Sequence, residues 1–207
     1  MKKLSVAYLK NFGTNEILKS KNVLEQKYPN IELELKPFGQ QQTIDAVNEG
    51  RADIAITNLR DSVVNELFSE KLADISLMIL LQAGNFDRGQ QTITLADLNK
   101  IPDLLAVKTE EEAAELHYHR DILEIKSPFM AVETFNEAAL MAESGSGYFI
   151  VNEKTAPAFK SQQLQKMFLL NNKNQQIKQD YSLLVKEENS NLDVIKEFGQ
   201  LLSHELN

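Results

Sequence analysis

The stretch VNEGRADIAITN, Val47 to Asn58, decides how the rest of the chain is read. A polar helix runs out at Gly50, a residue that suits the left-handed position just past a helix end because it has no Cβ to clash there. Three positions on, Asp53-Ile54-Ala55-Ile56-Thr57 begins, apolar on both faces with a single acid at its start. A strand with no polar face is covered on both sides, as parallel strands between helices are. The junction therefore reads as a helix running into a central parallel strand.

Upstream, the pattern repeats. Gln40 to Glu49 is a short helix with Ile44 and Val47 inward, and before it Ile31, Leu33 and Leu35 alternate with Glu32, Glu34 and Lys36, the period of a half-buried strand. Thr14 to Tyr28 carries apolar residues near a 3.6-residue repeat, with Glu16 in its first turn, Lys27 in its last and Pro29 as its stop. Leu4 to Leu9 is a buried strand that ends in the turn from Lys10. Alternating strand and helix implies an α/β lobe on a parallel sheet.

Downstream, a second α/β series follows. Leu77 to Leu81 and Leu104 to Val107 read as buried strands, and Thr94 to Leu98 as one capped helical turn. Thr109 and Glu112 have the spacing of a capping box for a helix to about His119. After the Pro128 loop come a helix from about Glu133 to Ser144, the stop Gly145-Ser146-Gly147 and the strand Tyr148 to Val151. Tyr181 to Val185 is a strand, and Asn191 to Leu206 an amphipathic helix expected to return to the first lobe. The expected division is lobe I at 1–76 and 187–207, and lobe II at 77–186.

Composition narrows the function. Hydrophobic residues at 43% and charged residues at 25% match a folded globular chain, and a length of 207 residues suits two lobes. With no cysteine, disulfides, thiolate metal sites and cysteine nucleophiles are excluded. Only six uncharged residues follow Lys3 before Lys10, too few for a secretion signal, and no apolar run is long enough to span a membrane, so a cytoplasmic location is expected. A net charge of −8 argues against this chain gripping DNA or an anionic membrane by itself, because phosphate binding rests on clustered Lys and Arg.

The motifs that suggest chemistry are each weighed against a structural role. His117-Tyr118-His119 would share a face on a strand, but falls at a helix end where alternate side chains diverge, so no metal is expected. Glu110-Glu111-Glu112 reads as a solvated first helical turn, and Gly145-Ser146-Gly147 follows a helix where a phosphate loop would open one. No Ser-His-Asp order with a nucleophile elbow is present. No cofactor is expected, and the chain does not read as an enzyme.

Taken in order, EGRADIAI at 49–56, ITLADL at 93–98 and AESGSGYFIVN at 142–152 resemble the effector-binding domain of LysR-type transcriptional regulators. The resemblance covers nearly the whole chain. It implies two Rossmann-like lobes of the type II periplasmic-binding-protein-like kind with a ligand cleft between them, a small-molecule effector, and a side-by-side homodimer. In that dimer the helix Thr14 to Tyr28, with Ser20 and Val23 on its face, would meet the second lobe of the partner. DNA binding would lie in parts absent from this chain. The sequence departs from the family pattern in having Tyr148 and Phe149 after Gly147, a Val151-Asn152 strand ending, and Asn11 in place of a hydroxyl-bearing residue. Two alternatives stay open: a free-standing solute-binding protein, and an enzyme on the same two-lobe plan.

The expected ligand contacts are groups at strand carboxyl ends, where open α/β sheets hold their ligands. From lobe I these are Lys10, Asn11, Phe12, Gly13, Thr14, Thr57 and Asn58; from lobe II, Gln82, Lys108, Phe129 and Asn152. A helix N-terminus beside lysines favours an anion.

Overall fold

A computed structural model describes residues 2–10, 12–60 and 67–207. The chain divides into two compact units, 1–74 with 179–207, and 75–178. Two long strands run through the division: β4 (Leu67–Gln82) and β10 (Lys178–Lys186).

In the first unit, β1 (Lys2–Leu9) lies between β2 (Ile31–Phe38) and β3 (Ile54–Asn58), parallel to both. β10 pairs antiparallel with β3, Tyr181 opposite Asn58. The helix α2 (Gln40–Asn48) ends as the opening stretch implies, with Gly50 at φ +72°. It buries Ile44, Ala46 and Val47 against Ala7, Ala55 and Leu184 of the sheet. Asp53, the lone acid of that stretch, accepts from the backbone N–H and the hydroxyl of Ser5, at 2.8 and 2.9 Å, and so ties the start of β3 to β1. The outer strand β2 keeps its exposed edge polar, with Glu34, Lys36 and a proline, which discourages pairing with another chain.

The helices α1 (Thr14–Lys27) and α6 (Leu192–Leu206) pack together in this unit. They run antiparallel, as Lys27 pairs with Glu197 and Lys19 with Glu205, while Leu206 meets Gly13. Ile17, Leu24, Ile195, Phe198 and Leu202 are fully buried, so the stripe at helical spacing is the inner face of α6. The Ser203 hydroxyl donates to the Leu72 carbonyl at 2.7 Å and fixes the helix to β4.

In the second unit, the strands run β4, β8 (Tyr148–Asn152), β6 (Asp103–Ala106), β7 (Phe129–Val132), with β9 (Leu164–Leu170) on the other side of β4 and β5 (Thr92–Thr94) beyond it. β6 is parallel to β7 and β8, and β4 antiparallel to β8. One face carries Leu77, Ile79, Tyr118, Tyr148 and Met167; the other carries Leu80, Phe149 and Val151 against α5 (Phe135–Glu143). Thr94 caps α3 (Leu95–Leu98) in a complete capping box with Asp97.

Several expectations shift here. Residues 179–186 group with the first unit because β10 completes the sheet beside β3. The Thr109 and Glu112 capping box does not form. The segment opens as a 3-10 turn at Thr109–Glu111, becomes α4 (Glu112–His117) and closes as a π turn at Tyr118–Ile122, with no side-chain cap. Burying Tyr118 and His119 favours that wider turn over a regular helix end. Among the described residues no helix is long and apolar enough to cross a membrane.

Candidate functional site

The carboxyl ends of β1, β2 and β3 lie along one edge of the first unit, and the loops that leave them form the candidate site. Lys10 is exposed, and its backbone N–H donates to the Phe38 carbonyl at 2.8 Å, joining the first two loops. Gly13, at φ +46°, turns the chain into α1, whose first turn has no side-chain cap. The backbone N–H groups of the first turn, before Ile17 donates to the Gly13 carbonyl, have no intrahelical partner, and they carry the positive end of the helix dipole. Glu16 lies close to the same turn: its Oε2 is 3.6 Å from the point where a Cβ on Gly13 would sit. A carboxylate thus already stands beside these N–H groups.

The remaining first-unit candidates are less open. Phe12 is fully buried and stacks face to face on Tyr181, ring centroids 3.7 Å apart, so its ring belongs to the core. Thr57 and Asn58 are also buried; the Thr57 hydroxyl donates to the Asn58 carbonyl at 3.2 Å, and Asn58 Oδ1 accepts from Arg60 Nε at 3.2 Å. Asn11 lies outside the described residues. One residue at this edge went unnoticed in the sequence: Gln40, at the start of α2, donates through Nε2 to the Asn58 carbonyl. A lone Gln after Phe-Gly has no pattern that would single it out.

The four second-unit candidates separate into two pairs. Lys108 follows β6 and is exposed, and Asn152 ends β8, its Oδ1 accepting from the Thr155 N–H at 2.9 Å; both stand at the carboxyl edge of the parallel strands. Gln82 and Phe129 stand at the opposite edge. β4 runs antiparallel to β8, so the carboxyl end of β4 meets the beginning of β8, where Gln82 Nε2 donates to the Glu143 carbonyl at 3.1 Å. Phe129 opens β7 opposite Asp103, which opens β6.

That opposite edge holds a buried polar network. His119 Nδ1 lies 2.6 Å from Asp103 Oδ2, with both side chains buried. Tyr148 donates to Ser127 Oγ at 2.9 Å, and Ser127 in turn to the Leu98 carbonyl at 2.8 Å. Burial, with the Asp103 charge adding to it, pushes the Tyr148 phenol above its ordinary range, so it remains a neutral donor. His117 pairs instead with Asp121, at 2.7 Å, so the two imidazoles diverge. Among the described residues no group of three or more His, Cys, Asp or Glu side chains is placed to share a metal ion. A surface groove along α1 and α6, lined by Lys27, Lys196, Glu197 and His204 among others, is occupied with its own pairing: Glu197 accepts from Lys27 and from the Tyr28 hydroxyl.

Comparison with known proteins agrees with this fold. The profile of the LysR substrate binding domain matches residues 2–207. Among solved structures, the chain is similar to the reduced form of the regulatory domain of OxyR2 from Vibrio vulnificus (TM-score 0.78, 15% identity, covering 99% of this chain and 96% of that one). It is also similar to a mutant of OxyR from Corynebacterium glutamicum (TM-score 0.80, 15% identity, 100% of this chain and 64% of that one). A third is the regulatory domain of NMB2055 (MetR), a LysR family regulator from N. meningitidis (TM-score 0.73, 14% identity, 98% and 93%). No curated protein sequence matches it. With its fold and a family profile that spans it almost end to end, the chain belongs to the LysR substrate-binding domain family and is a LysR-type regulatory, effector-binding domain, a sensing module and not an enzyme.

Proposed function

We propose that this domain senses a small anionic metabolite, with Lys10, Gly13 and Thr14 as its contacts in the first unit and Lys108 and Asn152 as the candidate contacts in the second. The observation that carries the reading is the uncapped first turn of α1 beside an exposed lysine, in a chain of net charge −8. Helix N–H groups and a lysine attract an anion where the rest of the protein repels it. The domain works in the cytoplasm and passes its ligand state to DNA-binding parts elsewhere in its regulator. Gln82 and Phe129 drop out of the proposed contacts because they stand at the other edge.

The domain pairs with a second copy of itself. The outermost strand β7 presents Phe129 and Met130, 41% and 45% exposed, and α1 presents Leu18 and Val23, 41% and 48% exposed. An apolar free edge and an apolar helix face are what a partner copy covers. Ser20, expected on that face, is buried and donates to the Glu16 carbonyl at 2.9 Å, so Leu18 and Val23 define it.

A thermal-shift screen with carboxylates, amino acids and sugar phosphates tests the ligand reading. A ligand at about 100 times its Kd stabilises by about 2.7 kcal/mol, and Lys10→Ala should reduce that gain. If no anion shifts the melt, the reading fails. Light scattering tests the pairing, and a monomer at high protein concentration counts against it.

A further inference from the structure

We propose that Lys166, on β9, is a nucleophilic lysine that takes an acyl group from small acyl phosphates, a modification site at the rim of an apolar cluster in the second unit.

Its placement follows from the pleat. Alternate residues of a strand share a face, and Leu164, two positions before Lys166, belongs to the cluster that contains Leu80, Phe149 and Ala156. Leu80 stands directly opposite Lys166 in the pairing of β4 with β9. The half-buried lysine therefore occupies a position on the apolar face of its strand. Its ammonium donates to the Ala156 carbonyl at 2.7 Å, and Ala156 is itself buried. Among the described residues no carboxylate pairs with it. Lys21, Lys27 and Lys71 are by contrast each held by acids: Glu25, Glu197, and Asp74 with Asp180.

An ammonium with one neutral acceptor and no counter-charge is the form that burial penalises. Burial accordingly lowers the Lys166 pKa, whereas hydrogen bonds to Glu197 and Asp74 raise those of Lys27 and Lys71. A desolvated lysine that sheds its proton more readily is the stronger candidate nucleophile at neutral pH. Its neutral amine attacks the carbonyl carbon of the acyl phosphate. A C–N bond forms, the C–O bond to phosphate breaks, and the leaving phosphate takes the proton that the nitrogen loses. The product is a neutral amide, which removes the uncompensated charge from the apolar rim and keeps one N–H for the Ala156 carbonyl. Carbon dioxide would instead leave a negative carbamate there, which the apolar surroundings disfavour.

Acetyl phosphate is the probe, added to the wild-type domain at about pH 7.5, with samples taken over time and each lysine followed by peptide mass spectrometry. Lys166 should be acetylated at least about threefold faster than the exposed Lys160 and Lys173. That margin should close as the pH rises to about 11, where lysines in general are neutral. Lys166→Arg keeps the charge and resists deprotonation, so the fast phase of whole-protein mass gain should disappear and the slower phases remain. A rate at Lys166 equal to or below that of the exposed lysines, or a margin that persists at high pH, would overturn the proposal. Peptide mapping of the wild type decides the matter alone if Lys166→Arg fails to fold.

Discussion

Gly147→Ala puts a single methyl group where the structure has no room for it. A Cβ at this position would lie 2.4 Å from the Pro102 carbonyl oxygen, 2.9 Å from Leu104 Cγ and 3.1 Å from Leu104 Cδ2. The nearest atom is backbone, and it already accepts from the Tyr148 N–H at 2.9 Å, so no side-chain rotation relieves the clash. Moving β8 away from β6 also disturbs Tyr148, which is fully buried and bonded to Ser127. Overpacking costs about 1–3 kcal/mol, and loss of the Tyr148 to Pro102 hydrogen bond adds about 1 kcal/mol. The entropy that alanine removes from the unfolded chain returns about 0.4–1 kcal/mol. The net loss is about 1–3.6 kcal/mol, or a fall in Tm of roughly 2–14 °C for a chain of this size. Urea titration and thermal melts followed by circular dichroism measure it, with Gly89→Ala as the control, since nothing lies within 4 Å of a Cβ there. A Gly147→Ala domain that melts with the wild type would refute the close approach as the reason for this glycine.

Three further outcomes are expected. His119→Ala leaves Asp103 Oδ2 without its buried hydrogen-bond partner, and leaving such an acceptor unpaired costs about 1–3 kcal/mol; urea denaturation measures it, and a loss near zero would mean that the contact holds nothing. Glu16→Gln removes the carboxylate that competes for the first turn of α1, so an anion found in the screen should bind more tightly, and weaker binding in calorimetry would place the ligand elsewhere. Although burial raises the Glu25 pKa, its hydrogen bonds to Lys21 and to the Leu33 N–H and the Lys21 charge lower it overall. Its contribution to stability is therefore complete above the unfolded carboxyl pKa and fades as pH falls through the folded one. Glu25→Gln should flatten the acid limb of the stability profile, and an unchanged limb contradicts the assignment.

Local rules made the opening stretch, both helices before it and the alternating strand legible, because each depends on neighbours in sequence. Gly50 needs a left-handed backbone whatever surrounds it, and the two apolar faces of Ile54 to Ile56 announce a covered strand. Linear order also carried the family likeness, since the motifs recur in sequence. The short strand β7 and the strand β9 were not picked out, because neither follows a clear alternation. The turn that carries Gly13 and Thr14 into α1 was legible because a turn between strand and helix is a local event. What only the tertiary structure decided was every property set by a distant partner. Phe12 was drawn into the core by Tyr181, Gln82 was carried to the far edge by the antiparallel course of β4, and residues 179–186 were assigned to the first unit by pairing with β3. Asp103 meets His119 only because a π turn folds back on β6, and Gln40 reaches Asn58 only because β1 lies between their strands. Propensity and periodicity act over a few residues, whereas strand direction and side-chain partners are chosen by pairing and burial across the whole chain, which no local pattern encodes.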